Sequence, residues 1–225
     1  VTGVAVGDQV FGLSPVTGTM AEYAVLSSWS PKPDAWTVEQ AAAAGVVAET
    51  AIRVLDQLGV GADSTLLIDG AAGGVGDAVV QIAVGRGATV IGTASEANHE
   101  YLRSLGVIPT TYGPGLADRV RALAPAGVDA VFDVAGANLP DLVKIAPSAD
   151  AVVSIADTTA PEHGARFSMS GTPDEITPTL VKAAALGAAG TYVPHVAATY
   201  RLDQVAEVHA RIEAGHARGK IVIKI

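Results

Sequence analysis

Cysteine is absent from the 225-residue chain. That removes disulfide frameworks, thiolate metal sites and a cysteine nucleophile together. Basic residues are scarce: 14 Lys and Arg stand against 23 Asp and Glu, a formal charge of −9. A nucleic-acid clamp or a polybasic membrane binder needs the opposite balance. Aromatic residues make up only 4% of a chain that is 49% hydrophobic. Small residues, alanine and valine above all, therefore carry the apolar content. This mix suits small helices packed on valine-rich strands. No run approaches the roughly 20 apolar residues of a membrane span, and no signal-peptide pattern opens the sequence. The expectation is a soluble, cytoplasmic protein, long enough to bury a substantial core. The first residue is Val1, and VGDQVFG (6–12) reads as mid-domain sequence. Part of a domain is therefore expected upstream.

Residues 1–33 are short alternating segments broken by Gly and Pro, with strands expected at Gln9–Gly12 and Ala21–Leu26. Thr37, followed by Glu39 and Gln40, reads as an N-cap with a capping box, opening a helix that runs to about Leu58 with a possible break at Gly45. From Thr65 the pattern becomes strand, helix, strand. Strands are expected at 65–69, 88–94, 110–112, 128–136 and 151–156, and helices at 77–87, 96–106, 116–124 and 138–145. This β-α alternation predicts a parallel sheet covered on both faces. Residues 157–173 read as loop, 174–186 as helix despite Pro178, 192–200 as an ambiguous strand, 202–214 as helix and 220–225 as strand.

The chemistry is carried by a glycine loop. TLLID (65–69) runs straight into GAAGGVG (70–76), and a helix follows at once. Glycines there permit positive φ and close approach of backbone to a diphosphate, and the helix N-terminus offers N–H groups and a positive dipole end. A dinucleotide site is the reading; a tight structural turn and a methyltransferase nucleotide loop are the alternatives. An NAD site wants a carboxylate at the end of the next strand. Here stand Thr93, Ala94 and Ser95, small enough for a 2′-phosphate, but Glu96 follows and could hold a ribose or repel a phosphate. NADPH is expected over NADH.

VGDQVFG, GTMAEYAV (18–25), AAAAGVVAETA (41–51), GAAGGVGDAVVQIA (70–83), VIGTAS (90–95), VDAVFDVAG (128–136), VVSIA (152–156) and HARGKIVI (216–223) occur in that order. Together they resemble the medium-chain dehydrogenase/reductase superfamily, in its zinc-free quinone oxidoreductase branch. The resemblance implies an α/β fold: a Rossmann doubly wound parallel sheet plus a remnant of a GroES-like β domain. The domains would be 1–36 for that remnant, 37–190 for the Rossmann domain, and 191–225 for its end and a tail returning to the catalytic domain. Zinc-dependent relatives insert a four-cysteine lobe after the GDxV segment; here Gly12 leads within six residues to Gly18. His99, His163, His195, His209 and His216 show no ligand spacing. No zinc is expected.

Hydride transfer from NADPH to a quinone or activated alkene is then the implied reaction, because such an acceptor takes hydride with little acid help. A non-catalytic dinucleotide-binding sensor of the same fold is the alternative. No catalytic residue can be carried over. Cofactor contacts can: Thr50 near the nicotinamide, or an ordinary helix residue; Ala72, Gly73, Gly74, Val75 and Gly76 as the pyrophosphate loop; Thr93 and Ser95 at the adenosine ribose; Tyr112 at the adenosine end, or a core tyrosine. Ala135, Gly136, Ile155 and Ala156 would admit the nicotinamide ring, and Phe167 and Ser168 would line its carboxamide. Arg218 and Lys220 would approach the phosphates, or belong to a solvated tail. Where relatives often carry a lysine after the ribose strand, this chain has Asn98 and His99. Asp77, in the first turn after the loop, is expected to point away from a diphosphate. A homodimer joined at the Rossmann sheet edge, near Tyr192–Thr199, is also implied.

Overall fold

The computed structural model describes residues 3–14, 18–215 and 218–225; His216 and Ala217 of the tail motif lie outside that description. In chain order the elements are β1 (Val10–Leu13), β2 (Ser28–Pro31), α1 (Val38–Gln57), β3 (Thr65–Asp69), α2 (Gly74–Gly85) and β4 (Thr89–Thr93). Then come α3 (His99–Ser104), β5 (Ile108–Thr110), α4 (Leu116–Leu123), β6 (Ala130–Asp133), α5 (Leu139–Ile145), β7 (Val152–Ser154) and β8 (Arg166–Phe167). The last are α6 (Pro173–Ala188), β9 (Val196–Arg201), α7 (Val205–Glu213) and β10 (Lys220–Lys224). They divide into two compact units: Thr50–Met169, and Val1–Glu49 together with Ser170–Ile225.

The unit Thr50–Met169 is an α/β layer structure. Its six strands are all parallel, in the order β5-β4-β3-β6-β7-β8. Leu66, Leu67 and Ile68 are fully buried, as strands covered on both faces must be. On one face, Leu67, Val131 and Val152 pack with Val120 of α4 and Leu139 and Leu142 of α5. The sixth strand escapes periodicity. Arg166 and Phe167 form it within 157–173, read as loop, and two residues carry no alternation to detect. A 3₁₀ turn, Ala160–His163, precedes it.

The other unit holds two small sheets. β1 pairs antiparallel with β2, with Gly12 opposite Trp29. Ala21–Leu26, expected as a strand, is not one; Met20, Tyr23 and Val25 are exposed. Ser28–Pro31 pairs instead, because Gly12 lets the Ser28 backbone come close: a Cβ at Gly12 would lie 2.1 Å from the Ser28 carbonyl oxygen. α1 begins at the expected cap. The Thr37 N–H donates to Gln40 Oε1 (2.8 Å) and the Gln40 N–H to Thr37 Oγ1 (3.2 Å). The helix does not break at Gly45. That glycine lets it approach β1, where a Cβ would lie 2.7 Å from the Gly12 carbonyl oxygen. β9 pairs in parallel with β10 in a two-stranded sheet. The six-stranded sheet ends at β5 and β8, so residues 196–201 are not its edge. Among the described residues, no helix is long and apolar enough to cross a membrane.

Candidate functional site

Read along its own chain, the parallel sheet has the order 3-2-1-4-5-6. The direction of winding reverses between β3 and β6. Ligands of open α/β sheets bind outside the carboxyl ends of the strands at that point. The glycine loop leaves β3 at this crest. Gly70 takes φ +89°, a left-handed conformation that glycine adopts without strain, and so turns the chain off the strand. α2 starts at Gly74, three residues before the expected position, because the glycine run itself forms the first turn. Its N-terminal N–H groups have no intrahelical acceptor and can meet an anion. Gly76 is buried and sets how closely helix and strand pack: a Cβ there would lie 2.1 Å from the Gly70 carbonyl oxygen. Ala72 is buried, while Gly73, Gly74 and Val75 are half-buried. This cradle of small residues fits a dinucleotide diphosphate.

The neighbouring loops close on the same crest. A Cβ at Gly70 would lie 3.3 Å from Ala135 Cβ. Gly136, at φ +73°, has room for no side chain, with Ala156 Cβ 2.9 Å from where one would start. The loops after β3, β6 and β7 thus meet through Gly70, Ala135, Gly136 and Ala156. Ile155 is half-buried beside them in sequence, and its N–H donates to Asp133 O (3.1 Å).

Other expected contacts have different roles. Thr93 is fully buried; its hydroxyl donates to Asp69 Oδ1 (2.5 Å) and accepts the Gly70 N–H (3.0 Å). It ties the glycine loop to β4 and offers no hydroxyl to a ribose. Ser95 is half-buried and accepts the Asn98 amide (3.2 Å). Glu96 is exposed next to it. Tyr112 is half exposed, which excludes a core tyrosine. Phe167 packs against the sheet's apolar core. Ser168 is buried, accepts a hydrogen bond from Arg53 and donates to Gln57 Oε1 (2.9 Å), strapping β8 to α1. Thr50 is buried within α1. Asp77 points away from the loop, as expected: Tyr101 and Gln81 donate to its two oxygens. Arg218 and Lys220 belong to the other unit, Arg218 exposed and Lys220 opening β10.

Two features had no sequence signal strong enough to single them out. Arg119 of α4 donates to the carbonyl oxygens of Thr111 and Pro114 (both 2.8 Å) and of Tyr112 and Gly113 (both 3.3 Å). It holds the loop that presents Tyr112. The second is a polar row at the ends of β4, β3, β6 and β7: Thr93, Asp69, Asp133 and Ser154, all buried. Asp133 accepts the Gly136 N–H at Oδ1 (2.8 Å) and the Ser154 hydroxyl at Oδ2 (2.7 Å). Ser154 Oγ in turn accepts the N–H groups of Ala156 (3.2 Å) and Asp157 (2.9 Å).

A parallel sheet of this order, with a glycine loop at its switch point, defines a dinucleotide-binding α/β unit of the Rossmann class. The family model for zinc-binding dehydrogenases matches residues 110–223, half of the chain. The chain belongs to that family, in the quinone oxidoreductase branch of the medium-chain dehydrogenase/reductase superfamily. It is 44% identical over 110 residues to the spectinabilin polyketide synthase system protein NorB of Streptomyces orinoci, covering 48% of this chain and 5% of that protein. It is 29% identical over 238 residues to human quinone oxidoreductase, covering 96% of this chain and 72% of the relative. An alcohol dehydrogenase superfamily protein of Novosphingobium aromaticivorans superposes with TM-score 0.86 at 29% identity, covering all of this chain and 77% of that one. The chain therefore spans a small fraction of the synthase and about three quarters of the other two. The family's name implies zinc. Cysteine is absent, and among the described residues no three His, Asp or Glu side chains form a group that could hold a metal ion.

Proposed function

We propose that this chain is the dinucleotide-binding part of a zinc-independent oxidoreductase that transfers hydride from NADPH to a quinone or an activated alkene. The observation that carries the reading is the glycine cradle at the switch point, where Gly70 and Gly76 leave backbone alone against the helix start. When bound, the dinucleotide supplies the hydride. The protein's part is to orient it and exclude water. Small residues at Ala135, Gly136 and Ala156 keep the loops close together at the crest, where a flat ring would lie. Ser95 with its small neighbours supports NADPH, while exposed Glu96 is the feature that would favour NADH.

The quinone arm rests on the 96% coverage by human quinone oxidoreductase. The activated-alkene arm rests on the family resemblance, because such an acceptor, like a quinone, takes hydride with little acid help. A homodimer is the assembly that the family resemblance favours, and sedimentation reads it directly. The deciding experiment is calorimetric titration with NADPH, NADH and S-adenosylmethionine, followed by NADPH oxidation against quinones and α,β-unsaturated carbonyl compounds. Tighter NADPH binding with turnover supports the proposal. Tighter NADH binding overturns the choice of cofactor. Binding without turnover favours a sensor, and S-adenosylmethionine binding alone overturns the reading altogether.

A further inference from the structure

Asp69 and Asp133 are register partners on adjacent parallel strands, β3 and β6, which lie about 4.8 Å apart. Both are buried, at 1% and 0% exposure. Their surroundings are not equal. Both oxygens of Asp133 are filled by donors, the Gly136 N–H and the Ser154 hydroxyl. That is an environment made for a carboxylate. Asp69 receives the Thr93 hydroxyl on Oδ1, the Asn138 side chain lies near its carboxyl, and its Oδ2 is buried without a partner in hydrogen-bond geometry. An ionised Oδ2 there would be a desolvated negative charge beside a second one. β4, β6 and α2, which pack on β3, contain no lysine, arginine or histidine to relieve it. The remaining charged group on α2, Asp77, is taken up by Tyr101 and Gln81.

We infer that Asp69 is the member of the buried pair that takes up a proton, and that its protonation favours a dinucleotide diphosphate on the glycine loop. Burial, and then the nearby Asp133, push the Asp69 carboxyl above the usual aspartate range; the Thr93 hydroxyl and the Asn138 side chain pull the other way. Asp69 is the residue immediately before Gly70, whose N–H is tied to the same Thr93 hydroxyl. A diphosphate on the loop adds negative charge close by, so binding and retention of the proton reinforce each other. Asp69 is thus a positioning residue, acting through the loop and not on the reacting atoms. The binding half of the inference rests on the dinucleotide reading; the proton itself does not.

The test compares the wild type with Asp69→Asn, which keeps shape and removes the proton equilibrium. Infrared difference spectra across a pH titration should show the carbonyl stretch of a protonated carboxylic acid persisting above the ordinary aspartate range in the wild type, and lost in Asp69→Asn. The wild-type unfolding constant should rise about tenfold per pH unit from the ordinary aspartate range up to the Asp69 titration, and be flatter by that amount in the variant. Asp133→Asn, which removes the like charge, should move the titration of the Asp69 carbonyl band to lower pH, and it serves if Asp69→Asn does not fold. NADPH affinity of the wild type should fall by up to about tenfold per pH unit above that titration, while Asp69→Asn stays level. A wild type that loses that band within the ordinary aspartate range, or parallel profiles in wild type and variant, overturns the inference. If neither protein binds a dinucleotide at any pH, the dinucleotide reading falls, and the infrared and unfolding profiles still decide where the proton is.

Discussion

Gly187 of α6 lies against Trp36 so closely that a Cβ there would sit 2.5 Å from the indole ring. The ring cannot step aside. Trp36 is 2% exposed, its Nε1–H donates to the Tyr192 carbonyl oxygen (3.1 Å), and it meets Phe11 and Tyr192 edge-on at 5.2 and 5.6 Å between centroids. In a chain with so few aromatics, three of them meet here. Gly187→Ala is expected to destabilise this unit by about 1–3 kcal/mol through overpacking, despite the better helix propensity of alanine. Denaturant unfolding followed by tryptophan fluorescence checks it. An unchanged midpoint would mean that α6 shifts freely on Trp36.

Gly76→Ala tests the crest. The added Cβ would meet the Gly70 carbonyl oxygen at 2.1 Å and Ala71 backbone atoms at 2.8 Å, and backbone does not rotate out of the way. The helix start must move outward, which displaces the N–H groups of its first turn. Dinucleotide affinity is expected to fall at least about tenfold, since that corresponds to only 1.4 kcal/mol of lost interaction. Titration calorimetry reads the affinity, and circular dichroism shows whether the fold survives. Full affinity in a folded variant would remove the loop from the site.

The residues that make this crest were legible to different degrees. The loop could be read because glycines between a strand and a helix have a mechanical meaning, and the Thr37 cap because its pattern is local. The strand order followed from repeated β-α units. Arg166–Phe167 could not be read, because a two-residue strand is specified by its neighbours β7 and α1 and not by its own sequence. Ala21–Leu26 misled because alternation alone does not say what a strand pairs with. Position alone points Thr93 at a ligand; its direction depends on Asp69, which is 24 residues away. The buried carboxyl pair was invisible for the same reason: register between β3 and β6 exists only in the folded sheet.

Thr93→Val separates these roles. The substitution keeps the branched shape and removes the hydroxyl that serves both Asp69 and the Gly70 N–H. Leaving buried polar groups unpartnered costs about 1–3 kcal/mol each. Stability is therefore expected to fall by an amount in that range or above it, measured by chemical denaturation. Discrimination between NADPH and NADH should stay unchanged, because the hydroxyl faces into the sheet. A large change in cofactor preference with unaltered stability would restore Thr93 as a direct contact.

The start of α6 gives a prediction in pH. Glu175 Oε2 accepts both the N–H (2.7 Å) and the hydroxyl (2.9 Å) of Thr172, and these bonds hold its carboxyl below the ordinary glutamate range. A carboxyl whose value is lowered on folding stabilises the fold above its unfolded titration, and that contribution is lost as pH falls through the folded value. Wild-type stability should therefore decline on the acid side of about pH 4.3, the usual glutamate value, partly through this group. In Glu175→Gln the amide can still accept the Thr172 N–H but does not titrate there, so its acid limb should be shallower than that of the wild type. The group is exposed, so the difference should be small and should shrink in high salt. Denaturant midpoints at pH 7, 5, 4 and 3 for the two proteins measure it. Parallel acid limbs would mean that the capping carboxylate is no better placed in the fold than in the unfolded chain.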